Sequence, residues 1–155
     1  MSRMYTVIFN AVAVTAQQDL FEITAAAGKN LRIRGGFLSQ STEVGDAQEE
    51  GLNITLKSGQ TTSGTGGSAP TPVPNNVTDA AAGFAAEVNN TTKASTGTIV
   101  THHATNWNVR AETMFLLPPE MCIELTGSRR MTIELGTTPA DSITMSGTLY
   151  VEEFG

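Results

Sequence analysis

Apolar and polar residues alternate with a period of two over most of the chain. The run from Leu52 to Lys57 reads apolar, polar, apolar, polar, and runs at 121–126, 131–135 and 143–152 repeat the pattern. Because successive side chains of a strand point to opposite faces of a sheet, each run predicts a strand with one buried face. Shorter alternating runs, which also predict strands, cover residues 5–9, 21–23, 31–37 and 106–111.

Short strands separated by turn residues are typical of an antiparallel sandwich or barrel. The long helical runs that a parallel α/β fold places between its strands do not occur in this sequence. We therefore predict an all-β fold, an antiparallel β-sandwich of jelly-roll type, with residues 1–155 forming a single domain. Residues 79–87 fit a short helix and a strand equally well, and Asp79 would suit the N-cap of such a helix.

Two glycine-containing turns modify this pattern. Gly35-Gly36 interrupts the run 31–37 and predicts a bulge or bend. Leu31, Ile33 and Phe37 are expected to share one face of that strand. Gly127-Ser128 predicts a tight hairpin between the strands on either side of it.

The alternation also assigns side chains to the core and to solvent. The residues predicted to be buried are Leu52, Ile54, Leu56, Ile123, Leu125, Met131, Ile133, Leu149 and Val151. The residues predicted to be more exposed, on the opposite faces of the same strands, are Asn53, Thr55, Glu124, Thr132 and Glu134.

Residues 58–78 differ from the rest and read SGQTTSGTGGSAPTPVPNNVT. The Gly/Ser/Thr half is flexible in composition, and the Pro-rich half is stiff and extended. Ordering each backbone residue costs about 1–2 kcal/mol, and the first half has few apolar groups to offset that cost. We therefore expect at least one of this long loop and the N-terminal segment to make intermolecular contacts, and deletion of residues 60–74 to leave the domain folded while weakening those contacts.

Composition narrows the classes of partner. Only 15% of the residues are charged, and the net charge is −6. A free-standing nucleic-acid binder is normally basic, because it replaces counterions around phosphate, so no nucleic-acid partner is expected. No apolar run approaches the ~18 residues of a membrane span, so no membrane partner is expected either. The single cysteine, Cys122, excludes an intrachain disulfide.

Candidate catalytic and metal-binding groups do not combine into a site. His102 and His103 are adjacent, and adjacent side chains of a strand diverge, which disfavours a shared metal ion. Glu152 and Glu153 diverge for the same reason. Trp107 alternates with apolar residues and is expected in the core, with a sugar-stacking platform as the alternative. We therefore expect no enzymatic activity, no metal and no cofactor, and a small hydrolase ranks last among the functions considered.

Four stretches together carry a resemblance to a known class of proteins: MYTVIFNAVAVTAQQDLFEI, TTSGTGGSAPTPVP, DAAAGFAAEVNNTT and SITMSGTLYVEE. They resemble small proteins encoded among the structural genes of tailed bacteriophages and prophages, and within that class the chain looks most like a capsid decoration, or cement, protein. The resemblance implies a β-sandwich or jelly-roll core and attachment to the major capsid protein on the outside of the phage head. It also implies assembly as a homo-dimer or homo-trimer after synthesis in the bacterial cytoplasm.

The predicted function is therefore that of a non-enzymatic virion structural protein. The family has no shared motif from which site residues could be transferred. The residues predicted from the sequence to form an interface are Tyr5, Pro70, Pro72, Val73 and Pro74. The alternatives are a tail, neck or baseplate component, and a β-sandwich module that binds host glycans through Trp107 or the 58–78 loop.

Overall fold

The computed structural model describes residues 2–42 and 50–155. Eleven strands cover most of these ranges, and the 3-10 turn Pro119–Met121 is the only helical element within them. The strands are β1 Arg3–Val14, β2 Gln18–Ala25, β3 Asn30–Gln40, β4 Gly51–Ser58, β5 Val73–Pro74, β6 Phe84–Asn90, β7 Val100–Asn108, β8 Thr113–Leu116, β9 Ile123–Thr126, β10 Arg130–Leu135 and β11 Ile143–Phe154. Strand β6 includes residues 84–87 of the segment that fitted both a helix and a strand, and residues 79–83 form neither.

The strands form two antiparallel sheets that pack against each other. Sheet A has the order β5-β1-β11-β3-β8, with β9 also paired to β3, and sheet B has the order β6-β2-β10-β4-β7. Strands β1 to β4 alternate between the sheets, and β10 and β11 return to the interiors of sheets B and A. This is the strand order of a jelly roll, which is built from two Greek keys. The predicted all-β sandwich is confirmed.

The buried apolar side chains of the described residues form one cluster between the sheets. Every residue predicted for the core is buried, and the most exposed of them, Ile123, is only 6% exposed. Burial alternates without interruption along β11, from Ile143 to Phe154. The period-two pattern therefore identified the inner faces of these strands correctly.

A bulge at Gly35 bends β3 where the sequence predicted one. The pairing of β3 with β11 passes over Arg34 and resumes at Gly35, which has a φ of 153°. A Cβ atom on Gly35 would lie 2.4 Å from the carbonyl oxygen of Phe115, so no side chain fits there. Strand β8 can lie this close to β3 only because residue 35 is glycine.

The bulge reverses the alternation in the second half of β3. Leu31 and Ile33 point into the core before it, and Leu38 is buried there after it. Phe37 lies on the outer face of sheet A, where its ring meets that of Tyr150 at 6.0 Å between centroids. The prediction that Phe37 shares a face with Leu31 and Ile33 is wrong, because the extra residue shifts the phase by one.

The turn at Gly127-Ser128 carries the chain from one sheet to the other. Strand β9 before it pairs with β3 in sheet A, whereas β10 after it pairs with β2 and β4 in sheet B. The Gly127 N–H donates to the Lys29 carbonyl, in the turn between β2 and β3. The predicted hairpin is wrong, because both flanking strands find better-matched partners far away in the sequence.

The chain between β4 and β7 folds back over the outer face of sheet B. Its two arms, residues 59–68 and 91–99, are called the strap here. Antiparallel bridges join the arms at Thr62–Ser95 and Thr65–Thr92. Gln60 Nε2 donates to Thr132 Oγ1 of β10 at 2.8 Å, so the strap lies directly on the sheet.

Glu22 of β2 anchors the first arm of the strap. Its side chain is 1% exposed and forms an ion pair with Arg130. It also accepts hydrogen bonds from Ser63 Oγ (2.6 Å), Gly64 N–H (2.9 Å) and Asn90 Nδ2 (3.1 Å). A buried carboxylate without such partners costs several kcal/mol, so the arm satisfies a group that would otherwise destabilise the fold.

Two further carboxylates hold the second arm. Glu134 accepts hydrogen bonds from Lys93 Nζ at 2.9 Å and Lys57 Nζ at 2.7 Å. Although burial alone would favour its neutral form, these lysines lower the pKa of Glu134 below its ordinary value. Asp19 Oδ2 accepts the Ala94 N–H at 2.6 Å.

The strap overturns two expectations from the sequence. Thr55, Thr132 and Glu134 are buried rather than exposed, and the strap covers the last two directly. The first half of the loop was also expected to lack internal stabilisation, but it is hydrogen-bonded to its own chain; contact of the loop with a partner stays a prediction. Deleting residues 60–74 would remove two donors from Glu22, so we now expect the deletion to destabilise the domain.

The Pro-rich half of the loop adds a short strand to sheet A. In β5, Val73 pairs with Thr6 and Pro74 pairs with Tyr5 of β1. The Asn75 N–H donates to the Met4 carbonyl at 2.8 Å and continues this contact. The loop therefore covers one sheet with its first half and extends the other with its second.

Replacing Asp19 with Asn should flatten the pH dependence of stability between about pH 4 and about pH 7. Burial is the main cause that raises the pKa of Asp19 to about 7; the Ala94 N–H and Lys93 oppose the rise, and Glu134 and Glu22 add to it. An unfolded Asp has a pKa near ~3.9. In this window the folded chain therefore binds more protons, and its free energy of unfolding falls as pH rises.

Asn keeps an oxygen acceptor for the Ala94 N–H but cannot ionise. Urea unfolding at both ends of the window should show a pH dependence smaller by about 1–3 kcal/mol in Asp19→Asn than in the wild type. Asp141→Asn, at an exposed carboxylate, is the matched control. Equal pH dependence in Asp19→Asn and the wild type would show that Asp19 does not take up this proton.

Candidate functional site

Sheet A carries apolar side chains on its outer face, where strand alternation ordinarily places polar ones. The strand register arranges them in two adjacent rows across the sheet. The first row contains Val73, Thr6, Tyr150, Gly35 and Leu116, and the second contains Ile8, Thr148, Phe37 and Met114. The first row runs from β5 at one edge to β8 at the other, and the second runs from β1 to β8.

The apolar members of these rows, Ile8, Phe37, Val73, Met114, Leu116 and Tyr150, are called the apolar face here. Four of them are largely exposed: Ile8 by 50%, Val73 by 56%, Met114 by 56% and Leu116 by 64%. Phe37 and Tyr150 are half-buried and pack edge to face, with their ring planes at 78°. The two rings form the centre of the patch, between its more exposed aliphatic ends.

Charged side chains border the apolar face on one side. Arg32 and Glu124 form an ion pair at 2.7 Å, and Arg34 and Glu152 approach to 3.8 Å. Arg32 also lies over the ring of Phe154, 4.3 Å from its centroid. These charges are paired with each other, so the border is polar without a strong net charge.

Small polar side chains border the opposite side. Ser146 Oγ donates to Asn10 Oδ1 at 3.0 Å and accepts the Ala11 N–H at 3.0 Å. Ser39 pairs with Ser146 in the strand register. An apolar centre with a polar rim is the usual anatomy of a protein–protein interface, and apolar patches rimmed by polar residues mark interaction sites.

The five residues predicted for an interface differ in accessibility. Tyr5 is fully buried: its hydroxyl donates to the Ala80 carbonyl at 3.0 Å. Pro72 is buried as well, and Pro70 and Pro74 are half-buried. Val73 is exposed and belongs to the apolar face. The side chains of Tyr5 and Pro72 contact the chain itself, and an interface role for Pro70, Val73 and Pro74 stays a prediction.

The histidine pair lies at the bulge of β7, where His103 pairs with Leu56 and the register with β4 passes over His102. His102 Nε2 lies 2.7 Å from Ser58 Oγ, and His103 is half-buried. Burial and the neighbouring His103 lower the pKa of His102. Within residues 2–42 and 50–155, no group of three or more His, Cys, Asp or Glu side chains could hold a metal ion.

Trp107 is buried in the core, as the alternation predicted. Its indole N–H donates to the carbonyl of Ala111. Because the ring is only 3% exposed, it offers no stacking platform for a sugar. If the protein binds host glycans, the 58–78 loop is therefore the remaining candidate for the binding element.

The other reactive side chains already have partners within the chain. Glu153 accepts Lys29 Nζ at 3.0 Å and the Gly83 N–H at 2.6 Å. Cys122 Sγ is half-buried and donates to the Leu117 and Pro118 carbonyls at 3.4 Å. These contacts fix loops between strands, which is a structural use of the groups.

A cavity of about 250 Å³ opens between β7 and β8, where the two sheets separate. Its apolar lining includes Leu38, Ile54, Leu56 and Phe115, and His103 and Thr105 also line it.

No helix in the described part of the chain is long and apolar enough to cross a bilayer.

No protein-family model matches the sequence, and no curated protein or solved structure matches it either.

Sequence reasoning missed most of the apolar face. Met114 and Leu116 belong to the continuous apolar run 114–117 before Pro118-Pro119. Because this run does not alternate, it does not show which of its side chains face outward. Phe37 was assigned to the inner face, because the bulge before it shifts the phase. The available signal was Ile8, an apolar residue at a polar-phase position between the inward-facing Val7 and Phe9.

Replacing Met114 and Leu116 with Ser should change the free energy of unfolding by less than about 1 kcal/mol, because both side chains are already largely in water. Leu149→Ala, at a fully buried position of β11, should cost about 2–5 kcal/mol. Urea unfolding of the three proteins measures both effects. A loss from the double Ser variant as large as that from Leu149→Ala would place the two side chains in the core rather than on a free surface.

Proposed function

We propose that the chain is a non-enzymatic virion structural protein that decorates the outside of a tailed-phage capsid and stabilises its lattice. The apolar face carries the proposal. It is an exposed apolar surface spanning sheet A, on a domain that covers its other sheet with its own strap. Jelly rolls are common among viral capsid domains, and the sequence resembles phage structural proteins over most of its length. Fold alone does not establish function, so the surface is the stronger support.

The expected occupant of the apolar face is a neutral, apolar part of the major capsid protein. The two rows contain no charged residue, and the neighbouring charges are paired with each other. Burying these side chains would contribute about 25 cal/mol for each Å² of apolar surface removed from water. Binding driven in this way depends little on salt, whereas a charge-driven contact weakens as ionic strength rises.

Two other functions remain candidates. A tail, neck or baseplate component could use the same surface, and it would be present in far fewer copies per particle than a decoration protein. A host-glycan module would bind through the 58–78 loop. The proposal also assigns the protein to the exterior of the virion, with synthesis in the host cytoplasm, and assumes no cofactor, nucleic acid or membrane.

Replacing Met114 and Leu116 with Lys should lower occupancy on particles by about tenfold or more, because two desolvated charges would replace the apolar contact. The test incubates purified protein with undecorated heads of the phage or prophage that encodes it, and measures protein bound per particle at low and high salt. Thr138→Lys with Ala140→Lys is the matched control, since both positions are exposed in a loop outside the apolar face.

Wild-type and control proteins should bind in many copies at both salt concentrations and raise the temperature at which heads rupture. Equal binding by the Met114/Leu116 variant would exclude the apolar face as the contact. Absence of wild-type binding to heads, together with a few copies in complete virions, would favour the tail or neck role. Retention on glycan arrays would favour the host-binding role.

A further inference from the structure

The outer edges of the two sheets differ in how well they are protected. An unpaired edge strand is a template for another strand, and proteins block such edges with short strands, prolines, charges or covering segments. Strand β5 has two residues and includes Pro74, and β8 has four residues and is followed by Pro118-Pro119. Strand β6 is covered by Ser68, which exchanges two backbone hydrogen bonds with Val88. These three edges are protected.

Strand β7 lacks this protection. It has nine residues, and no Pro, Lys, Arg, Asp or Glu occurs anywhere in residues 94–109. It pairs with β4 on one side and with no described strand on the other. A bulge at His102 interrupts one end, but residues 103–108 keep a regular register with β4. Ala104, Thr105 and Asn106, in the middle of this regular part, are exposed.

The core is incompletely covered beside this edge. On the inner side of β7 only Trp107 is buried, and Thr105 and His103 border the cavity of about 250 Å³. The floor of the cavity consists of core side chains such as Leu38, Ile54 and Leu56. A strand added to β7 would extend sheet B over the mouth of this cavity. A partner that adds a strand to β7 would therefore pair the free backbone of this edge and also cover the apolar surface of the cavity.

We propose that β7 pairs with β7 of a second copy of this chain, antiparallel and about a two-fold axis through Thr105. In such a pair the residue on the axis faces its own copy, so a charge there would meet a like charge, and the two copies of any charge near the axis would lie close together. Self-pairing is therefore favoured by an uncharged strand, a condition that a different partner protein does not impose. The rest of the chain carries the net charge of −6, so this neutral edge is where two copies approach with least repulsion.

The side-chain pairs that it creates support an axis through Thr105. Residues that face each other across an antiparallel pair lie on the same side of the sheet. An axis through Thr105 places Thr105 opposite its twin, Ala104 opposite Asn106, and His103 opposite Trp107. The first pair is a Thr–Thr contact, which is favourable across strands. This pairing is independent of the contact with capsid protein proposed above.

The test measures the mass of the purified full-length chain by sedimentation equilibrium at neutral pH. Ala104→Lys combined with Asn106→Lys places lysine opposite lysine at two points of the interface. Ala104→Lys combined with Asn106→Glu places lysine opposite glutamate at the same points. We expect a dimer for the wild type, an approximately twofold lower mass for the double-Lys variant, and recovery of the dimer for the Lys/Glu variant.

Thr138→Lys with Ala140→Lys adds the same charge at the same spacing in a loop and should remain dimeric. Thermal unfolding checks that each variant folds; if the double-Lys chain does not, Thr105→Lys places a single lysine against its twin and serves in its place. A monomeric wild type, a dimeric lysine variant or a monomeric Lys/Glu variant would each overturn the proposal. None of these results would decide whether the apolar face binds phage heads, because the head-binding experiment tests that proposal separately.

Discussion

The buried carboxylate of Glu22 determines how the rest of the chain is arranged. A carboxylate inside a protein is tolerated only when donors and opposite charge surround it. Glu22 receives them from separate parts of the sequence: Arg130 of β10, Asn90 of β6, and Ser63 and Gly64 of the strap. Holding the strap there also brings its second arm onto Asp19 and Glu134. Sheet B and the strap therefore form one unit in which the strap covers the outward carboxylates of β2 and β10.

The two sheets obey the same alternation but use their outer faces differently. Sheet B places Glu22, Thr132 and Glu134 outward, and the strap satisfies them by hydrogen bonds and ion pairs. Sheet A places Ile8, Phe37 and other apolar residues outward and leaves them accessible. A polar face of this kind can be completed by the polar Gly/Ser/Thr segment within the chain, whereas an apolar face gains most from a surface supplied by another molecule. The division explains why the proposed interaction surface lies on sheet A.

Local patterns in the sequence predicted the strands and the core because burial on one face of a strand depends only on alternation. They failed where a single residue changes the phase, as at Gly35, which turned Phe37 outward. They also failed where contacts join distant segments: Gly127-Ser128 looks like a hairpin turn until β9 pairs with β3. The burial of Thr132 and Glu134 could not be read locally, since it depends on where residues 59–99 fold. The same long-range fold decides which apolar residues remain exposed.

The two surfaces on this molecule are geometrically compatible. Strand β7 belongs to sheet B and the apolar face to sheet A, and the two surfaces adjoin only at Met114, which also lines the cavity beside β7. A two-fold axis perpendicular to sheet B keeps both copies of sheet A on the same side of the joined sheet. Both apolar faces would then point toward one surface and could bind it together. Linking two sites in this way raises the effective concentration of the second once the first is bound, so a modest apolar contact could give stable attachment to a repeating lattice.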